Sequence, residues 1–336
     1  MRILVIILSV CLFLVISGCK KDDQHTTNVA PHPTPNTFRI YKTNDGGLTW
    51  GNALDIEGSR FPLEISFSAP NTYFIITSDN QLFRSTNGGS VWQSIDLPAN
   101  AGILTSVSSG GRTSFCSIVN TSGVIMLSKD NGDTWTEPES PVNTRLNSIH
   151  ISPEPYTCGF IAGISGTVFA TNDAGETWNQ LPLTAQTELF DIDYFGCGST
   201  IIASANNKVY LSNDYGASWS ATNINPSSSG PDITSVSIDE NGQDAVGLCS
   251  GGGIIYSHDL GQSWQTATPA PYTGNIVFHN LDNTSETIFA VGDAGTIWNS
   301  IDHGYSWHNI PNNSVYSLMD ICFKDDSDGI IIAKPN

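Results

Sequence analysis

Two sets of side chains in this 336-residue chain could do chemistry. The first is a column of polar residues recurring at near-regular intervals: Glu64, Ser106, Ser148, Asp191, Ser235, Asn275 and Asp320. Glu64, Asp191 and Asp320 are its carboxyl members, and two carboxyls about 6.5–9.5 Å apart are what inverting glycoside hydrolysis requires. A structural reading competes, in which these side chains hydrogen-bond to neighbouring elements and hydrate a channel. His150 and Asp193 lie one step further along the same strand face. The second set is Asp45, Asn87, Asp130, Asp173, Asp214, Asp259 and Asp302. Calcium wants about six oxygens, and one carboxylate per turn supplies too few, so neither a metal nor a cofactor is expected.

The second set belongs to a phrase that occurs seven times: TNDGGLTW, STNGGSVW, SKDNGDTW, TNDAGETW, SNDYGASW, SHDLGQSW and SIDHGYSW. Its closing residues Trp50, Trp92, Trp135, Trp178, Trp219, Trp264 and Trp307 follow one another at 42, 43, 43, 41, 45 and 43 positions. A fixed period of this length matches a four-stranded propeller blade. Asp or Asn can accept bonds from backbone N–H groups two residues or so ahead, Gly supplies positive φ, and Trp can bury a large ring between blades. Each part has a structural task, and catalysis needs one constellation rather than seven copies.

Around the phrase, short apolar strands alternate with Gly and Asn turns, which argues for an all-β fold. The ends complete each other. The chain opens on a third strand, Phe38 to Thr43, and closes on a first strand, Leu318 to Phe323, and a second, Gly329 to Ala333. Residues 37–336 are therefore expected to form a seven-bladed β-propeller of four-stranded blades, its last blade closed by N- and C-terminal strands. Closure removes exposed sheet edges.

Composition narrows the partners. The net charge of −19 repels nucleic-acid phosphates and disfavours anionic lipid headgroups. Residues 1–18 read as a signal peptide, with Arg2 before the apolar run Ile3 to Ile16. Ile16-Ser17-Gly18-Cys19 resembles the bacterial lipobox, which implies lipidation of Cys19 and a firm hold on a membrane. Residues 19–36 form a Pro- and Thr-rich tether. Its Lys20-Lys21-Asp22-Asp23 resembles export signals of surface-exposed lipoproteins, so an outer-membrane or cell-surface address is expected. Cys116, Cys158, Cys197, Cys249 and Cys322 are an odd set without a CxxC, and read as small buried apolar side chains.

The phrase is the Asp-box, or BNR repeat, and the chain resembles families that carry it. Sialidases use an arginine triad, whereas Arg39, Arg60, Arg84, Arg112 and Arg145 all lie in the first half here, and Arg39 reads as an ordinary strand residue. Xyloglucan hydrolases pair two propellers, and this chain has length for one. Over about residues 37–336 it resembles single-domain propellers of the photosystem II stability and assembly factor type. That resemblance implies a non-catalytic, monomeric envelope lipoprotein whose propeller binds a protein or glycan. The alternative is a glycoside hydrolase or lyase using Glu64, Asp191 and Asp320, in a mouth carrying aromatics such as Tyr194, Tyr272 or Tyr316.

Overall fold

Each Asp-box folds as a self-contained turn, and the one at residues 171–178 shows how. In a computed structural model of the protein, Thr171 Oγ1 donates to Asp173 Oδ1 at 2.7 Å and accepts from Gly175 N at 2.9 Å. Asp173 Oδ1 accepts from Thr177 N at 2.9 Å, and its Oδ2 accepts from Thr177 Oγ1 at 2.6 Å. The box glycine is required twice over. Gly175 has φ +86°, and a Cβ there would stand 3.1 Å from Leu127 of the preceding blade. Box two departs as its sequence foretells: Asn87 Oδ1 still accepts from Val91 N at 2.8 Å, but Val91 has no hydroxyl to add a further bond.

The structure describes residues 36–335, apart from 60, 69, 111–113, 153–156, 225–230, 240–241 and 268–275. The signal segment 1–18, Cys19, all but the last residue of the tether, Arg60, Arg112 and Tyr272 lie outside the described residues.

The described strands make seven antiparallel sheets in sequence order, six of them four-stranded. We number these blades from the sheet that begins at Pro62–Ser68. The innermost strands of successive blades touch in a closed circle that ends with Ser317–Phe323 beside Pro62–Ser68. Blade 7 is built from both ends of the chain, in the order Gly51–Glu57, Thr37–Thr43, Gly329–Lys334, Ser317–Phe323. The seam is the pairing of Arg39 with Ala333 through to Thr43 with Gly329, as the sequence predicts. Blade 2 falls short of four full strands. Its outermost element is a single bridge, Leu127 to Thr136, because Pro138, two residues on, has no N–H to continue a ladder.

The core is a set of slabs, one at each blade junction. Phe115, Val119 and Ile125 of blade 2 pack with Ile149, Ile161 and Phe169 of blade 3, and Trp178 closes that slab. Phe289 and Val291 of blade 6 likewise meet Ile321 and Ile331 of blade 7, with Trp50 against them. Every box tryptophan sits in the slab between its own blade and the one before. Four of them also donate Nε1 to the carbonyl of their own box glycine, at 2.9–3.1 Å.

Candidate functional site

The polar column lines the channel because every innermost strand is bulged at the same place. The register slips between Pro62 and Glu64, Leu104 and Ser106, Leu146 and Ser148, and Leu189 and Asp191. It slips again between Ile233 and Ser235, Phe278 and Asn280, and Leu318 and Asp320. A bulge inserts one unpaired residue and re-aims its neighbours. Here it lets the inserted residue and the ring residue after it face the channel together.

Asn275 lies outside the described residues. The blade 6 ring position is held by Asn280, which bonds both ring neighbours: Asn280 Nδ2 to Asp320 Oδ1 at 2.5 Å, and Asn280 Oδ1 with Ser235 Oγ at 3.1 Å. Asn275-Ile276 offers the same polar–apolar pair in sequence and so mimics the ring position. The fuller pattern of apolar, any, polar, apolar, polar was available: Phe278-His279-Asn280-Leu281-Asp282 matches Leu189-Phe190-Asp191-Ile192-Asp193.

The ring fastens each blade to the next. Glu64 Oε2 accepts from Val107 N at 2.9 Å, Ser106 Oγ from Ile149 N at 3.2 Å, and Asp191 Oδ2 from Val236 N at 3.0 Å. Ser148 Oγ donates to Asp191 Oδ1 at 2.8 Å. Asp320 Oδ2 accepts from Ile65 N at 2.7 Å, joining residues 255 positions apart and closing the circle. A second ring two residues on, which the sequence showed only at His150 and Asp193, repeats the device. Ser108 Oγ accepts from Ile151 N, Asp193 Oδ2 from Ile238 N and Asp282 Oδ2 from Phe323 N.

Burial dominates the electrostatics here. It pushes the Asp320 carboxyl up to about 8, against the N–H bonds from Ile65 and Ile321 and the Asn280 amide that favour its charge. Burial pushes Asp282 up to about 7 and raises Glu64 well above the usual carboxylate range, with Asp320 beside it adding repulsion. Burial also raises Asp191. At His150 burial opposes the charge, but Asp193, 2.8 Å from Nδ1, outweighs it and raises the imidazole.

Two mouths meet at this waist. The larger encloses about 980 Å³ and is lined by His150, Asp193, Tyr194, Asp239 and Asp282, with no lysine or arginine among its described residues. The smaller encloses about 750 Å³ and carries Arg145, Glu188 and His279. Glu64, Asp191, Ser148, Ser235 and Asn280 belong to both. Tyr194 stands at the larger mouth, its ring 5.0 Å from that of His150. Tyr316 does not stand at a mouth: it is buried beneath Arg39, whose guanidinium carbon is 4.6 Å from the ring centre. Arg39 itself is bound to Asp55 at 2.6 Å, away from the channel.

The cysteines need one correction. Cys158 and Cys197 form a disulfide between blades 3 and 4, on the wall of the larger mouth. The residues are 39 apart in sequence, and the curvature of the ring brings their Cα atoms to 5.6 Å. Cys116, Cys249 and Cys322 are free.

The box residues lie on the rim, away from this channel. Their carboxylates sit below the usual range, at Asp45 chiefly through the Thr49 hydroxyl, at Asp130 through Thr134 and at Asp214 through Ser218.

Comparison with known proteins follows the fold. A structure of YCF48 bound to a D1 peptide superposes with a TM-score of 0.66 at 16% identity, covering 93% of this chain and 99% of that one. YCF48 from Cyanidioschyzon merolae gives 0.62 at 16% identity, over 82% and 95% of the two chains. No curated protein sequence matches the chain significantly. Residues 47–335 match the family described as photosynthesis system II assembly factor YCF48. With all seven blades inside or closing that span, the chain belongs to the YCF48 assembly-factor family.

Proposed function

We propose that this propeller is a non-catalytic, monomeric assembly or scaffold factor that holds a segment of a partner protein at its larger mouth. The observation that carries the reading is the commitment of the ring carboxyls. Glu64, Asp191 and Asp320 each accept a backbone N–H from the next blade, whereas an acid–base pair must be free to pass protons to a substrate. Beyond the first ring, the larger mouth adds His150, Asp193, Tyr194 and Asp239. With no lysine or arginine among the described lining residues, Asp193 and Asp239 favour a segment that carries basic side chains. The capture of a D1 peptide by YCF48 supports a peptide as the class of ligand.

The same proposal places the protein at the bacterial envelope, outer membrane or cell surface, held by acyl chains on Cys19. The Cys158–Cys197 disulfide supports export, since such bonds persist in oxidising compartments.

The test is a titration of the full chain with fluorescent peptides of equal length, one Lys-rich and one Glu-rich, followed by anisotropy. The Lys-rich peptide is expected to bind, more weakly as salt rises, and to lose about tenfold in affinity on Asp193→Asn with Asp282→Asn (about 1.4 kcal/mol). Equal binding of both peptides, or none, would count against the mouth as a protein site. Turnover of a glycan that disappears in Asp191→Asn and Asp320→Asn would replace the reading with a glycoside hydrolase.

A further inference from the structure

Two of the five histidines among the described residues converge on one carboxylate. His258 Nδ1 is 2.7 Å from Asp244 Oδ1, and His303 Nδ1 is 2.9 Å from Asp244 Oδ2. Donor atoms of Asp239, Asp244 and His303 all lie within 4.8 Å of one another. From this geometry we infer that Asp239, Asp244 and His303, with His258 beside them on the shared Asp244, form a surface site for one transition-metal dication of the zinc class, placed where blade 6 meets blade 5.

The donors come from three segments that the fold holds in place. Asp239 and Asp244 flank the connection between the first two strands of blade 5. Asp239 Oδ1 accepts from Gln243 N at 2.8 Å and Asp244 N at 3.0 Å, and Asp239 N donates to Asp244 O at 2.9 Å. Leu260 N donates to Gln243 O at 3.1 Å, pinning the turn to the blade 5 box that carries His258. The His258 ring lies 4.9 Å from Tyr256. His303 belongs to the blade 6 box and has left-handed φ +58°. The next residue, Gly304, sits so close to blade 5 that a Cβ would be 2.7 Å from Val246. His303 is thus delivered to Asp244 by a turn wedged against the neighbouring blade. The other five boxes carry no histidine, so the pair is particular to this junction.

The chemistry of the set selects the metal. Zinc takes imidazole nitrogen at about 2.0–2.1 Å and carboxylate oxygen at about 2.0–2.2 Å, tetrahedrally, which puts donor atoms about 3.4 Å apart. The His303 Nδ1–Asp244 distance would widen by roughly half an ångström as the metal replaced the shared proton. Imidazole favours zinc, nickel or copper over magnesium and calcium, which prefer all-oxygen shells. The His258 and His303 side chains are 46% and 59% exposed and Asp244 is 15% exposed, so the site opens to solvent above a fixed anionic floor.

The experiment is calorimetric titration of chelator-stripped full chain with zinc chloride at pH 7.5, with thermal unfolding as a second readout. One tight equivalent is expected, with zinc raising the unfolding temperature. The double variant His258→Ala with His303→Ala is expected to lose at least tenfold in affinity and the thermal shift, each single variant lying between. His150→Ala, a histidine paired with Asp193 elsewhere, is expected to bind as wild type, and calcium chloride to give no heat. Should the double alanine variant fail to fold, His258→Gln and His303→Gln serve in its place. The inference is overturned if wild type takes up no zinc at micromolar concentration, or if wild type and the double variant take it up alike.

Discussion

Asp173 on the rim and Asp320 at the channel are both aspartates that accept backbone N–H groups, and they do opposite work. Asp173 takes its bonds from Thr171 and Thr177, inside its own box. Asp320 takes one from Ile65, across the seam from blade 7 to blade 1. Solvent surrounds the rim carboxylates, and hydroxyl bonds hold them low: the Thr49 hydroxyl does so at Asp45. Asp320 is 2% exposed, and burial lifts it to about 8. The contrast teaches where repetition comes from. A bond made within eight residues needs particular neighbours, so the box keeps its Ser/Thr, Asp/Asn, Gly, Ser/Thr and Trp positions in nearly every copy. A bond made to the next blade's backbone needs only an acceptor in the right place, so Glu, Ser, Asp and Asn all serve in the ring.

The contrast can be broken most severely at the seam. Deleting residues 326–336 removes the Gly329–Lys334 strand that pairs with both Thr37–Thr43 and Ser317–Phe323. Cooperative thermal unfolding is expected to be lost; a truncated chain melting near wild type would show that the ring does not depend on closure. Next in size, Asp320→Ala strands the Ile65 and Ile321 N–H groups and the Asn280 amide. In urea unfolding it is expected to lose about 3–5 kcal/mol, against about 1–2 kcal/mol for Asp173→Ala, whose donors can turn to water. Equal losses would erase the distinction between the two circles. Cys158→Ser with Cys197→Ser is expected to lose about 2–4 kcal/mol, the range for a loop of this length, in the same assay.

Much of the fold was legible because its signals are local. The seven boxes gave the blade count, and the unmatched end strands gave the seam, to within one residue at Thr37 and Lys334. The ring was legible at Glu64, Ser106, Ser148, Asp191, Ser235 and Asp320, and missed at Asn280. Ring neighbours are 42 to 44 apart from Glu64 to Ser235, but Ser235 to Asn280 is 45 and Asn280 to Asp320 is 40. A column read by spacing therefore slips there, whereas one read by the bulge pattern does not. The Cys158–Cys197 bond and the meeting of His258 with His303 at Asp244 were hidden for a different reason. Each joins neighbouring blades on a curved surface, and no strand period records which loop tips face one another.

The most direct test of opposite work by one residue type is unfolding temperature against pH, from 5 to 8.5, at constant ionic strength. Asp282 at about 7 and Asp320 at about 8 hold more protons folded than unfolded across this range. Their contribution to stability therefore falls as pH rises through those values, and the raised His150 acts in the same direction. The rim carboxylates, lowered on folding, act only at more acid pH, where stability drops as they take up protons. Wild type is predicted to melt progressively lower from pH 6 to 8.5, Asp173→Asn to keep that slope, and Asp282→Asn to make it shallower, with Asp320 and Glu64 sustaining the rest. A wild type with no fall, or an Asp282→Asn variant that falls as steeply as wild type, would contradict the account.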